Sequence, residues 1–412
     1  MSGNDVIVSL DIGTSKVRVI IGEINNGAIN IVGVGSADSE GIRKSAIVDI
    51  DQTVQSIRSA VDHAERMVGI QIADVYVGIT GSHIGLQSSQ GVVAVSNEDR
   101  EIGTEDIERV LQAAKVVALP PEREIVGIVP KQYLVDGLDG IQDPRGMIGV
   151  RLEVEATIIT GAKTVIHNLV RVVEKAGLNI AGLILMPLAA GQMALSKDEK
   201  SMGTVLVDIG AGATAISVFD QGNLVATSTI PIGGEYITND ISIGLRTQTN
   251  VAEKVKLKYG CGVIEDAAED QVFKVTRIGS NEEKEFSQVD LANIIEPRVS
   301  EIFQLVRAEV ARLGYKELPG GYILTGGSVS MPGILSAARR ELNSSVRVAV
   351  PDFIGVRDPS YTGGVGIIQY VSKFARSRGT APVKKQSKRK TSAAQEKNGF
   401  FESVKNWLKE FI

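Results

Sequence analysis

The 412 residues exceed what one hydrophobic core comfortably serves, and 43% apolar with 23% charged residues is the composition of a multidomain globular chain. The single cysteine, Cys261, excludes an internal disulfide framework and a cysteine metal cluster, and His63, His83 and His167 show no ligand spacing. The net charge of −5 hides an asymmetry: Lys373 to Ile412 holds eleven Lys/Arg against three Asp/Glu, so a tail of +8 follows a body of −13, which argues against nucleic acid along the body and for an anionic partner of the tail.

The first residues lead into an apolar strand pattern with no signal-peptide character, the expectation for a chain that stays in a reducing cytoplasm. Strands are predicted at Val6–Leu10, Val17–Glu23 and Ala28–Val34, the last two joined at Asn25-Asn26-Gly27. A helix over Asp51–Met67 and a strand over Val75–Ile79 follow. Then Val92–Val95, a helix over Thr104–Ala114, and strands near Glu124–Val129 and Val150–Ile159 form a small inserted α/β unit, bounded near 84 and 161. A helix over Lys163–Ala176 leads to a strand over Ile180–Leu185. The weakly charged stretch Leu178–Leu195 is interrupted by Asn179, Gly182, Pro187, Gly191 and Gln192, so it reads as a buried strand entering a buried helix, not a membrane span.

At Val205 the opening pattern returns. Val205-Leu206-Val207-Asp208-Ile209-Gly210-Ala211-Gly212-Ala213-Thr214 parallels Ile7-Val8-Ser9-Leu10-Asp11-Ile12-Gly13-Thr14-Ser15-Lys16, and each copy continues as strand, Gly turn, strand. Such a repeat implies a duplicated α/β domain with two copies facing across a cleft. In each copy an Asp ends an apolar strand and small or hydroxylated residues follow, so backbone amides can approach phosphate oxygens. The hydroxyls of Thr14, Ser15 and Thr214 add donors, and the carboxylate can orient a hydrated magnesium ion. One copy alone would be an ordinary hairpin turn; two opposed copies suit a nucleotide held between domains. A third turn, Leu324-Thr325-Gly326-Gly327-Ser328, follows a strand and precedes a helix, where its backbone could abut a nucleobase.

This ordered set resembles the nucleotide site of the actin superfamily, and within it the chain is most similar to the FtsA family of actin-like bacterial division proteins. The resemblance covers nearly the whole chain: Ser9 to Lys16, the insertion, and the basic linker with its terminal helix. It implies a fold of duplicated actin-like (ribonuclease H-like) domains around a nucleotide cleft, with an inserted small α/β subdomain and a C-terminal amphipathic helix. The expected organisation is 1–83, with the first phosphate loop; 84–161, the insertion; and 162–372, the second half. That half contains a small subdomain of about 235–318 and returns to the first near 360–372. A basic linker over 373–398 and a membrane helix over 399–412 complete it. Asp11, Gly13, Thr14, Ser15 and Lys16 would form the first phosphate loop, with Asp208, Gly210, Gly212, Ala213 and Thr214 as the second. Gly326, Gly327 and Ser328 would be the adenosine loop. Asp11 and Asp208 would hold magnesium through water. Ala252 to Lys256 resembles an Ala-Glu-x-x-Lys helix of the bacterial actin MreB, placing Glu253 and Lys256 on ribose and base. Without the other motifs, it would be a solvated helical face. Pro187-Leu188-Ala189-Ala190-Gly191 and Gly363-Gly364-Val365-Gly366-Ile367 match two helices that cross between domains.

The resemblance further implies ATP with magnesium, self-association into filaments, recruitment of the tubulin-like FtsZ through its C-terminal peptide, and other division partners at the insertion. It implies a peripheral place on the cytoplasmic side of the cell membrane at the division septum. Relatives outside the division proteins carry a glutamate just before the proline of the first crossing helix; Met186 stands there, so slow ATP turnover at most is expected. Phe400, Phe401, Val404, Trp407, Leu408, Phe411 and Ile412 fall at helical spacing, too short to span a bilayer but suited to its interface. The linker's Lys and Arg residues suit anionic lipids at about 1 kcal/mol each. For the FtsZ peptide the candidate surface is the helix of about Gln288–Leu313 beside Lys274–Ile278, with Arg298 and Arg307. The rival enzymatic reading is a sugar-type kinase of the same fold; a chaperone-like ATPase lacks its substrate domain.

Overall fold

The computed structural model describes residues 5–43, 45–279, 283–316 and 318–377. The linker beyond 377 and the expected membrane helix, with Phe400, Phe401, Val404, Trp407, Leu408, Phe411 and Ile412, lie outside them. The described chain forms two compact units, one of residues 83–171 with 181–183, the other of 5–82, 172–180 and 184–377.

Strand β1 (Asp5–Ile12) turns into β2 (Lys16–Asn25), which pairs with β3 (Ala28–Asp38). The β2–β3 turn places Asn26 at φ 47° and Gly27 at φ 87°, the pair of positive φ values that twists a two-residue hairpin correctly. After the short ladder β4 (Ile42–Arg43) with β5 (Ala46–Ile47), α1 (Ile50–Val68) starts at Asp49, whose carboxylate accepts the Gln52 amide at 3.0 Å. It stops at Gly69 with φ 74°. Strand β6 (Asp74–Ile79) then runs parallel to β1.

The unit of 83–171 has β7 (Gly85–Ala94), α2 (Thr104–Ala114), β8 (Arg123–Val135), β9 (Leu138–Ile141) and β10 (Arg151–Ala162) in the sheet order β7-β10-β8-β9. Its core joins Val110 and Leu111 of α2 to Tyr133, Leu152 and Val154 of the sheet. Helix α3 (Lys163–Lys175) follows.

The chain continues through β11 (Asn179–Leu185), α4 (Met186–Ala194), α5 (Lys197–Met202), β12 (Thr204–Ile209), β13 (Thr214–Asp220) and β14 (Asn223–Ile230). Next come α6 (Gly234–Leu245), α7 (Thr249–Tyr259), the hairpin of β15 (Val272–Thr276) and β16 (Glu283–Ser287), and α8 (Gln288–Arg312). The last described elements are β17 (Tyr322–Thr325), α9 (Ile334–Leu342), β18 (Val346–Val348) and α10 (Thr362–Ser377).

The repeat in the sequence is a repeat in space. One sheet runs β11-β6-β1-β2-β3 and the other β18-β17-β12-β13-β14, so each is an antiparallel three-strand meander with a parallel strand beside its first member. The second meander reuses the same turn, with Gln221 at φ 49° and Gly222 at φ 82°. Helices α4 and α10 pack at backbone distance: a Cβ on Gly366 would lie 2.1 Å from the Ala189 carbonyl oxygen. Met186 fills the space beside β6 and α10, its Sδ 2.4 Å from a Cβ built on Gly78 and its Cε 2.2 Å from one on Gly363. That dense apolar seat explains why a thioether rather than a carboxylate stands at this position.

Candidate functional site

Each meander ends its first strand in an aspartate and turns through a loop closed in the same way. The Gly13 amide donates to the Lys16 carbonyl at 3.1 Å, and the Gly210 amide donates to the Ala213 carbonyl at 3.0 Å. The two loops meet: a Cβ on Gly212 would lie 2.8 Å from Thr14 Oγ1 and 2.9 Å from Thr14 Cγ2. At 212 only a residue without a side chain leaves room for the side chain of Thr14.

Asp11 and Asp208 are partly solvent-accessible yet surrounded by protein, as groups on the floor of a depression are. Burial raises the proton affinity of Asp11, opposed by the positive charge of Arg18. Burial also pushes Asp208 up to about 6, aided by the charge of Asp11 and opposed by Arg18. The two carboxylates share one nearby cation, Arg18, and Asp11 raises the proton affinity of Asp208. Among the described residues no group of three or more His, Cys, Asp or Glu could hold a metal ion directly.

Around the second loop the polymer is knitted by hydrogen bonds. The amides of Gly234 and Glu235, opening α6, donate to the carbonyls of Gly210 and Ala211, each at 2.9 Å. Ser328 Oγ donates to the Gly210 carbonyl at 3.1 Å, which ties the Gly326-Gly327-Ser328 turn to the same loop. Gly326, at φ 95°, passes so near Asp208 that a Cβ there would lie 2.3 Å from Oδ1. On α7, Lys256 Nζ sits 2.7 Å from Glu253 Oε2 and donates to the Gly234 carbonyl at 3.0 Å and Thr238 Oγ1 at 2.8 Å; Thr238 in turn donates to Glu253.

The structure therefore gathers Asp11, Gly13, Thr14, Asp208, Gly210, Gly212, Ala213, Glu253, Lys256, Gly326, Gly327 and Ser328 into one neighbourhood. Ser15 is exposed at the loop tip, and Lys16 pairs with Asp38 at 2.5 Å. Thr214 is buried and its hydroxyl donates to the Ile232 carbonyl at 2.7 Å, so that donor serves the loop itself. Arg298 on α8 is engaged by Asp240 at 2.6 Å and by Glu301, and Arg307 donates to the Glu341 carbonyl at 3.1 Å. Sequence motifs did not single out Gly234, Thr238 or Arg18, whose guanidinium lies 5.3 Å from the centroid of the Tyr361 ring. Arg18 alone had a signal, a charge set between Val17 and Val19.

Comparison with known proteins sets this geometry in a family. A family model described as "Cell division protein FtsA" matches residues 205–366, and one described as "SHS2 domain inserted in FTSA" matches residues 81–160. "Cell division protein FtsA" of Bacillus subtilis is 54% identical over 379 residues, covering 92% of this chain and 86% of that one. Among solved structures, the PilM-PilN type IV pilus biogenesis complex aligns with TM-score 0.61 at 15% identity, covering 89% of this chain and 98% of that one. MreB5 of Spiroplasma citri bound to ADP aligns with TM-score 0.51 at 14% identity, covering 91% and 97%. The likeness to these two structures is one of fold, and that fold is the actin-like one that the resemblance implied.

Proposed function

Because this chain belongs to the FtsA family of cell division proteins, we propose that it binds ATP with magnesium between its two phosphate loops, self-associates into actin-like filaments, and anchors FtsZ filaments to the cytoplasmic face of the membrane at the division septum. The observation that carries the nucleotide reading is the contact of Gly212 with Thr14, in the loops that follow two carboxylates whose proton affinity burial raises. In that arrangement the loop amides would cradle phosphate oxygens, and Asp11 and Asp208 would hold magnesium through water. Glu253 and Lys256 would face ribose and base, with Gly326, Gly327 and Ser328 beside the adenosine. A fold neighbour, MreB5, holds ADP. Met186 offers no carboxylate to orient water, so turnover would be slow.

Filament formation would multiply a weak membrane affinity of single copies into stable attachment. Among the described residues no helix is long and apolar enough to cross a membrane. Attachment would rest on the C-terminal segment with Phe400, Phe401, Val404, Trp407, Leu408, Phe411 and Ile412, backed by the basic linker and anionic lipids. The FtsZ C-terminal peptide would dock along α8, where an acidic group must displace Asp240 or Glu301 to reach Arg298. Other division partners would use the inserted subdomain.

The test is co-sedimentation with anionic liposomes, with and without ATP and magnesium, comparing the whole chain with one ending at Gln395. Pelleting of the whole chain alone, increased by ATP, is the expected result. Equal pelleting of both chains would remove the tail from the account.

A further inference from the structure

The last crossing helix is tied at its start to the turn expected to hold adenosine. Strand β17 ends at Thr325, in register with Asp208 of β12, and Gly326 turns away from it at φ 95°. Against that turn lies Asp358, followed by a short 3-10 turn, Pro359–Tyr361, which opens directly into α10. The Pro359 carbonyl accepts from three donors: Thr325 Oγ1 at 2.9 Å, the Gly326 amide at 3.3 Å and the Thr362 amide that begins α10. Asp358 makes a second tie. Its Oδ1 accepts from the Ser360 amide at 2.9 Å and its Oδ2 from Ser330 Oγ at 3.1 Å, so one carboxylate caps the 3-10 turn and grips the far end of Gly327–Ser330. Beyond the turn, Gly363 and Gly366 of α10 pack against Met186 and the Ala189 carbonyl of α4. Packing that close leaves α10 little room to bend, so a displacement of its first turn moves the helix as a body.

We propose that the turn of residues 358–361 transmits occupation of the nucleoside turn to α10, and that Asp358 is the positioning residue that holds the two together. The inference rests on the nucleotide reading above. A nucleobase seated against Gly326, Gly327 and Ser328 would fix a backbone that shares the Pro359 carbonyl with the first residue of α10. The helix would then be held at one place along α4. By reciprocity, whatever fixes α10 at that place would favour the nucleotide by the same factor. Without Asp358 the nucleoside turn keeps its own contacts with the ligand, but the 3-10 turn loses its cap and its hold on Ser330, and α10 follows less.

Hydrogen exchange of the whole chain, with and without saturating ATP and magnesium, tests this beside a calorimetric titration. In the unsubstituted chain ATP should slow exchange about tenfold both in residues 208–214 and in residues 363–371 of α10. In Asp358→Ala the loop should keep that slowing, α10 should show less than about threefold, and ATP affinity should fall by less than about threefold. Asp358→Asn, which removes the charge but keeps an acceptor for the Ser360 amide, should restore the slowing in α10. Should Asp358→Ala not fold, Ser330→Ala removes the same bond from its other end and should reduce the slowing in α10 likewise. Equal slowing of α10 in all these chains, or slowing of the loop alone in the unsubstituted chain, would overturn the proposal. An unsubstituted chain that takes up no ATP in the titration would end the nucleotide reading and this inference with it; slowing of the loop by ATP tells the two failures apart.

Discussion

Asp208 is held in a state that costs the fold something. Its carboxyl is raised from the ordinary value of 3.8 to about 6, first by burial and then by Asp11. Between those values the folded chain binds more protons than the unfolded chain, so this group's contribution makes stability fall as pH rises through that interval. Above pH 6 the cost is at most on the order of 3 kcal/mol, less whatever solvent access relieves. Asp208→Asn removes the charge and should raise the melting temperature of the nucleotide-free protein at pH 7.5, while weakening magnesium-dependent ATP binding about tenfold or more. Scanning calorimetry decides this, since a lower melting temperature for the variant would mean that the carboxylate is satisfied inside the fold. At this scale the sequence showed Asp11 and Asp208 because a strand-end Asp-Ile-Gly occurs twice. It did not show what Thr214 does with its hydroxyl or what stacks on Arg18, because those partners, Ile232 and Tyr361, lie elsewhere in the chain.

Elements were legible wherever the apolar period was unbroken. The helix expected over Thr104–Ala114 is α2 with those bounds, and the one expected over Gln288–Leu313 is α8, Gln288–Arg312. Strands were cut short where polar residues or proline interrupt the pattern. The strand expected over Val92–Val95 runs Gly85–Ala94, because pairing along β10 carries the polar stretch from Gln87 to Gln90. The strand expected to end near Val129 continues through Pro130 to Val135, with Pro130 in register with Ala156 of β10 and a register shift at Lys131 before Gln132 meets Glu155. The crossing of α4 and α10 was legible as small residues, and its tightness yields a prediction. Gly366→Ala should gain up to about 1 kcal/mol of helix propensity and lose more to the collision with the Ala189 carbonyl, for a net destabilisation of about 1–3 kcal/mol in chemical denaturation. A neutral or stabilising result would mean that the two helices separate at little cost.

For the molecule as a whole, the duplicated pattern near Asp11 and Asp208 foretold two sheets of the same strand order, and the inserted α/β unit was visible as a break between the copies. How closely the loops of the two halves meet was not visible, because glycine at 212 serves equally for a turn and for a contact; only the position of Thr14 shows which. The central claim, a nucleotide held where those loops touch, is tested by titrating the whole chain with ATP and magnesium beside Gly212→Val. The branched side chain would occupy the space now taken by Thr14, so the account predicts saturable binding to the unsubstituted chain and at least about tenfold weaker binding to the variant, with unchanged circular dichroism. Equal affinity in the two proteins, or no binding by either, would contradict it.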